Sequence, residues 1–147
     1  MWEQVGCLCT AVLLAYHSVF DIKKQRIPGR SLAMGVVASC VWTLGRGLLG
    51  MQSWTVLGAG LLPGVTALVL AKATREQVGR GDGWELILMG NCMGLADCLF
   101  ALGMALLGIF LVSAVLLLLG KVRKSTRIAF VPFLWVGTIA VLLRLWI

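Results

Sequence analysis

Residues 99 to 119 read LFALGMALLGIFLVSAVLLLL, an apolar stretch without a charged side chain. A helix needs about 20 such residues to cross the hydrocarbon core of a membrane, so this stretch predicts a transmembrane helix. The whole chain has the same character: 60% of its 147 residues are hydrophobic and 13% are charged. A soluble domain has roughly 25% charged residues. The composition therefore excludes an ordinary soluble protein and leaves room for at most about six spanning helices.

Charged and turn-forming residues divide the rest of the chain into further apolar segments, four of them clear and one short and glycine-rich. In chain order, the predicted helices cover residues 5–20, 31–49, 54–71, the weaker 84–96, 99–119 and 129–146. The predicted fold class is all-α: a polytopic membrane protein with six transmembrane helices, the fourth short. We expect one domain over residues 1–147.

The basic residues predict which face of the membrane each connection occupies. With six helices, the first, third and fifth connections lie on one side, and they contain all 13 lysines and arginines except Arg46 and Arg144. By the positive-inside rule this side is cytoplasmic, and both termini are extracytoplasmic. A five-helix arrangement would break the pattern, which favours the weak helix. We expect a multi-pass protein of the plasma membrane that contacts lipid and no nucleic acid.

The cysteines and the single histidine predict neither a metal site nor a cofactor. No Cys-x-x-Cys pair occurs, and one histidine supplies too few ligands for a tetrahedral zinc site. All five thiols lie within or beside apolar segments, so we expect them to pack as small buried hydrophobic residues. They are Cys7, Cys9, Cys40, Cys92 and Cys98.

Two aspartates, Asp21 and Asp82, lie where an ionisable side chain is costly. Asp21 ends the first apolar segment and Asp82 precedes the weak one, so both are predicted at the cytoplasmic side, at the same depth, on different helices. Two carboxyl groups brought together there would share a proton. Aspartic peptidases use such a pair to activate water and to polarise a carbonyl. Asp21 and Asp82 are therefore candidate catalytic residues.

Simpler roles for both aspartates remain open at this point. Asp21 could pair with Lys24 or Arg26 at the end of its helix, and Asp82 could cap a helix beginning near Trp84. Glycines at positions 79, 81 and 83 argue against a role limited to capping, because they allow another segment to approach closely.

Three more ionisable residues have alternative interpretations. Glu85 lies three residues after Asp82, on the same helical face, and is a rival partner for an aspartate. His17 lies one turn before Asp21, where it either touches that carboxyl group or packs as a buried histidine. Asp97 is expected in a solvated outer turn, or as a helix cap, away from the catalytic pair.

Three segments occur in order on the predicted cytoplasmic side: 21–28 (DIKKQRIP), 79–82 (GRGD) and 128–133 (IAFVPF). A basic stretch ending in Ile-Pro, a Gly-x-Gly-Asp motif before a short helix, and a Pro-Phe start to the last helix resemble the prepilin peptidase family. That family includes archaeal preflagellin peptidases and belongs to the Gly-x-Gly-Asp intramembrane aspartic proteases. The resemblance covers essentially the whole chain and implies that Asp21 and Asp82 are the catalytic pair.

The resemblance implies an endopeptidase that removes the short basic leader of type IV pilin-like precursors at the cytoplasmic face. Local acids such as Glu76 or Glu85 would then recognise the leader. Residues 83–85 (GWE) depart from the Val-Lys that many members have after the motif. The chain also lacks the large Cys-x-x-Cys insertion of bifunctional members, so we expect no methylation and no S-adenosylmethionine site.

Two other function classes remain open. A small ion-coupled or proton-coupled transporter would use the same aspartates as a cation site. A non-catalytic assembly protein of a pilus or secretion system would keep the fold without needing them.

Overall fold

The computed structural model describes residues 2–24, 27–74, 79–120 and 129–147. Over these ranges the protein is built from helices and contains no strand, which confirms the all-α class. The helices are α1 (Trp2–Lys24), α2 (Gly29–Leu48), α3 (Trp54–Ala59), α4 (Leu62–Ala73), α5 (Arg80–Met93), α6 (Leu95–Leu118) and α7 (Val131–Trp146).

The surface of the helix bundle is apolar. Large hydrophobic side chains point outward along its sides, among them Val12, Met34 and Phe110, each more than 60% exposed. In water such a surface would drive association, whereas lipid tails solvate it readily. Four helical segments are long and apolar enough to cross a membrane: Gln4–Lys24, Gly29–Leu48, Trp54–Ala73 and Leu95–Leu118. The protein is therefore a membrane protein.

The third predicted segment is interrupted in the structure. The sequence predicted one helix over residues 54–71, but α3 ends at Ala59 and α4 begins at Leu62. Pro63 lies in the first turn of α4, where its missing N–H donor is tolerated. At the break, a Cβ atom on Gly60 would collide with the carbonyl oxygen of Gly90 on α5, and the reverse also holds. Paired glycines thus let two helix backbones pack in direct contact.

The short, glycine-rich segment forms the centre of the bundle. Helix α5 packs against α1, α2, α4 and α6, while α7 packs against α1 and α6. Every residue of α5 from Glu85 to Met93 is buried. Its 14 residues rise about 21 Å, less than the roughly 30 Å of a hydrocarbon core. Neighbouring helices, rather than lipid, therefore surround most of this helix.

The bounds of this central helix differ from the predicted ones. The sequence predicted residues 84–96, whereas α5 begins at Arg80 and ends at Met93. Gly94 ends it with φ of +85°, a backbone conformation that glycine adopts without a Cβ clash. Helix α6 begins at the next residue, so the chain reverses here without a longer loop.

The predicted role of Asp97 is wrong. Asp97 is buried in the first turn of α6 and pairs with Arg144 of α7 instead of solvating a turn. Nearby, the buried Arg46 guanidinium donates to Gln52 Oε1 over 2.6 Å and to the Cys92 carbonyl oxygen over 3.3 Å. These contacts join helices and loops at the end of the bundle opposite the two aspartates.

The prediction for the cysteines is confirmed in part. Cys7, Cys92 and Cys98 are buried free thiols, as expected. Cys9 and Cys40 are also free but exposed, so the expectation that all five are buried is wrong for these two.

Candidate active site

Asp21 lies near the end of α1 and contacts the start of the last helix. Its Oδ2 accepts the backbone N–H of Val131, the first residue of α7, over 3.1 Å. The first N–H groups of a helix have no partner within the helix, and the positive end of the helix dipole lies there. Asp21 thus supplies an acceptor for one of these N–H groups. Of the sequence-based partners, Arg26 lies outside the described residues.

Asp82 lies inside the first turn of α5. The residue preceding the helix is Gly79, whose carbonyl oxygen accepts the Asp82 N–H over 3.2 Å. The interpretation of Asp82 as the cap of a helix beginning near Trp84 is therefore wrong. A Cβ atom at position 79 would lie 2.7 Å from Asp82 Oδ2, so a glycine here leaves room for the carboxyl group.

The Ile-Pro motif touches the Gly-x-Gly-Asp motif. A Cβ atom on Gly81 would lie 2.9 Å from Ile27 Cδ1, which shows how closely this side chain approaches the backbone of α5. Ile27 also packs against the buried hydrophobic core. The described parts of all three motif segments thus meet at one end of the bundle, because Val131 of the last segment contacts Asp21.

Asp82 precedes the apolar part of α5 and lies outside the membrane-spanning segments. Burial raises the pKa of its carboxyl group from 3.8 to about 7, with further contributions from the negative charges of Asp21 and then Glu85. The two aspartates are therefore close enough for one charge to affect the other. Both side chains are only partly buried, so water reaches them. A pair of this kind holds one proton near neutral pH.

Glu85 pairs with His17 instead of with an aspartate. Both side chains have no exposed surface, and His17 Nδ1 contacts Glu85 Oε1 between α1 and α5. The rival pairing of Glu85 is therefore not observed, and His17 is a buried histidine. Sequence reasoning missed the contact, although its signal was present. His17 precedes Asp21 by four residues and Glu85 follows Asp82 by three, so antiparallel helices that align the aspartates also align this pair.

Glu85 cannot recognise a basic leader, because it has no exposed surface. This overturns one part of the expectation that local acids bind the leader. The other residue named for that role, Glu76, lies outside the described residues.

One cavity between the described helices lies apart from the two aspartates. A cavity of about 210 Å³ lies between α1, α2 and α5, with Thr10, Ser39 and Leu88 in its lining. It contains neither aspartate and none of the motif residues. We therefore locate the candidate site from the contacts of Asp21 and Asp82.

The chain matches no family model, no curated protein and no solved structure. Asp82 and Asp21 form a partly buried, water-accessible pair of carboxyl groups, the first with a raised pKa and the second at a helix N-terminus. Such a pair can remove a proton from water and polarise a carbonyl group in the same step.

Proposed function

We propose that this protein is an aspartic endopeptidase of the prepilin peptidase type, with Asp21 and Asp82 as its catalytic residues. Its substrates are type IV pilin-like precursors, whose short basic leader it removes at the cytoplasmic face of the plasma membrane. Methylation of the product and an S-adenosylmethionine site are not part of the proposal.

The observation that carries the proposal is the convergence of the three motif segments. They are far apart in sequence, yet Asp21 accepts the N–H of Val131 and Ile27 packs on Gly81. Asp82 is the next residue of the second motif and is affected by the charge of Asp21. Packing alone does not require two partly buried carboxyl groups at this junction, because an ionisable side chain beside the membrane is costly.

The mechanism follows from the different surroundings of the two carboxyl groups. Asp82, with its raised pKa, holds the shared proton and donates a hydrogen bond to the carbonyl oxygen of the scissile peptide. Asp21, facing the N-terminus of α7, is the carboxylate that takes a proton from the attacking water. The tetrahedral intermediate then collapses as the leaving nitrogen receives a proton from the pair.

The proposal includes six membrane crossings with both termini outside. The apolar part of α5, after Asp82, is the fourth crossing, shielded from lipid by its neighbours. In support, exposed basic side chains gather at the end of the bundle that carries the two aspartates. They are Lys23, Lys24, Arg30, Lys72 and Arg80. This end faces the cytoplasm by the positive-inside rule.

The test is leader removal in membranes that contain the chain and a pilin-like precursor from the same genome. Asp21→Asn and Asp82→Asn keep the shape of each side chain and remove its acid chemistry. We expect each to lower the cleavage rate at least about 100-fold, the scale of lost general acid–base catalysis. Asp97→Asn is the matched control, since it changes an aspartate at the opposite end of the bundle and should still allow cleavage.

The outcomes separate the function classes. Cleavage by both variants at the wild-type rate would show that the catalytic assignment is wrong. If wild type cuts no precursor, but vesicles containing it conduct ions in a manner that requires both aspartates, the transporter hypothesis replaces the peptidase. Assembly of pili that survives both substitutions would favour a non-catalytic role.

A further inference from the structure

His17 and Glu85 form a buried ionisable pair that the proposed reaction does not use directly. His17 Nδ1 contacts Glu85 Oε1, and both side chains are 0% exposed. Neither Glu85 oxygen nor His17 Nδ1 has a hydrogen bond of regular geometry among the described residues. Their mutual contact therefore compensates for the free-energy cost of removing these polar atoms from water.

The other nitrogen of His17 reveals where one proton is. His17 Nε2 lies 2.9 Å from Ser31 Oγ, and the Ser31 hydroxyl lies 2.9 Å from the Pro28 carbonyl oxygen. We assign the hydroxyl hydrogen of Ser31 to the Pro28 carbonyl oxygen, to which it donates. With that hydrogen used, Ser31 Oγ accepts from His17, which places a hydrogen on Nε2.

One more proton is needed at the contact between His17 and Glu85. With no proton there, the lone pair of Nδ1 would face the lone pairs of a carboxylate oxygen between two side chains that have no exposed surface. With two protons, the N–H hydrogen of His17 and the O–H hydrogen of Glu85 would face each other. A single proton satisfies both atoms, as an imidazolium beside a carboxylate or as an imidazole beside a carboxylic acid. The net charge of the pair is zero in either form.

We propose that His17 and Glu85 share a single proton between α1 and α5, and that they act as positioning residues for Asp21 and Asp82. The pair lies one helical turn deeper than the aspartates on the same two helices. It therefore sets the register of α1 against α5. This part of the inference rests on the proposed peptidase function.

Among the described residues, the other charged groups on the surrounding helices lie at the two ends of the bundle. On α2 and α4, Arg30 and Lys72 are exposed at the cytoplasmic end. At the opposite end, Arg46 of α2 donates to Gln52, and Asp97 of α6 pairs with Arg144 of α7. On α6, the Cys98 thiol contacts the Leu86 carbonyl oxygen. The nearby acids of α1 and α5 are Asp21 and Asp82 themselves.

The proton count predicts how unfolding depends on pH, and this test does not need the activity. The variants are His17→Gln, Glu85→Gln and the double variant, and the measurement is the unfolding equilibrium constant in detergent between about pH 5 and pH 6. In an unfolded chain, a glutamate has mostly lost its proton and a histidine mostly still carries its extra one over this range. The wild-type pair then has the same proton count folded and unfolded, so it adds no pH dependence.

Each single substitution should change this balance in the opposite direction. In His17→Gln the buried Glu85 keeps a proton that the unfolded chain loses. The unfolding equilibrium constant, divided by that of wild type, should therefore increase about tenfold for each pH unit as pH rises. In Glu85→Gln the buried neutral His17 gains a proton on unfolding. The same ratio of unfolding equilibrium constants should therefore decrease about tenfold for each pH unit over this range. The double variant should show neither slope.

A role limited to packing would give each single variant a constant loss of stability, and that result would overturn the proposal. Loss of the folded state in the double variant as well as in both singles would overturn it too, because paired amides preserve the shape and hydrogen bonding of the site. Opposite slopes, or single variants that misfold while the double variant folds, support it.

Cleavage by the same proteins then tests positioning. The cleavage rate of both single variants should fall at least tenfold, the double variant should recover part of this loss, and Asp97→Asn should cleave at the wild-type rate. Opposite slopes without any cleavage by wild type would retain the shared proton and reject the peptidase.

Discussion

Replacing Asp82 with asparagine should stabilise the folded protein at alkaline pH while abolishing the proposed activity. Burial and nearby charges raise the pKa of the folded-state carboxyl group from 3.8 to about 7. The folded wild type therefore binds this proton more tightly than the unfolded chain does. Its stabilising contribution is complete below pH 3.8, and it is lost as pH rises through about 7. Asparagine does not titrate, so the variant escapes this loss.

The size of the effect follows from the change in pKa. One pKa unit corresponds to about 1.4 kcal/mol, so the rise from 3.8 to about 7 corresponds to at most about 4 kcal/mol. The free energy of unfolding of Asp82→Asn minus that of wild type should therefore increase by up to about 4 kcal/mol between pH 4 and pH 8. Relaxation and water entry around the charged carboxylate act to reduce this value.

The assay is reversible unfolding in detergent, followed by tryptophan fluorescence across this pH range. A suitable control is Gly103→Ala, because among the described residues no atom beyond its chain neighbours and its own helix backbone lies within 4 Å of a Cβ atom added there. Its difference from wild type should be independent of pH. If Asp82→Asn also differs from wild type by a constant amount, the carboxyl group does not have a raised pKa in the folded state, and the one-proton mechanism loses its basis.

Three further results are expected. Gly90→Val should destabilise the bundle by about 1–3 kcal/mol or more, since its side chain would collide with a facing backbone carbonyl. Gly103→Ala is again the control. Equal stability of both variants in an unfolding titration would contradict the close packing. Arg144→Gln should lower the free energy of unfolding by about 1 kcal/mol, because its pair with Asp97 is partly exposed. The variant should remove the leader at the wild-type rate. A loss of cleavage in membranes would show that the outer end of the bundle affects the site. The wild-type cleavage rate should fall about tenfold between pH 7 and pH 8.5 as Asp82 loses its proton; a rate that keeps rising over this range would argue against a protonated catalytic aspartate.

Much of the architecture could be predicted from the order of residues, because it depends on local properties of the chain. Long uncharged stretches such as residues 99–119 have a favourable transfer energy into lipid wherever they occur, so the membrane class and most helices were predictable. The aspartates were identified for the same reason, since an acid beside an apolar segment is costly in any fold. Their catalytic role remains a prediction, as does the six-helix topology.

What the sequence did not reveal depends on contacts between distant segments. The helix around Asp82 begins four residues earlier than its hydrophobic pattern indicated, because the helical turn over residues 80–83 packs against Ile27 and α4. Asp97 was expected in a solvated turn and instead pairs with Arg144, whose proximity requires α6 and α7 to lie side by side. Glu85 and His17 become partners only when α1 and α5 are antiparallel neighbours. Hydrophobic pattern reports the solvent that each segment prefers, whereas the partner of a buried charge is decided by which helices pack together.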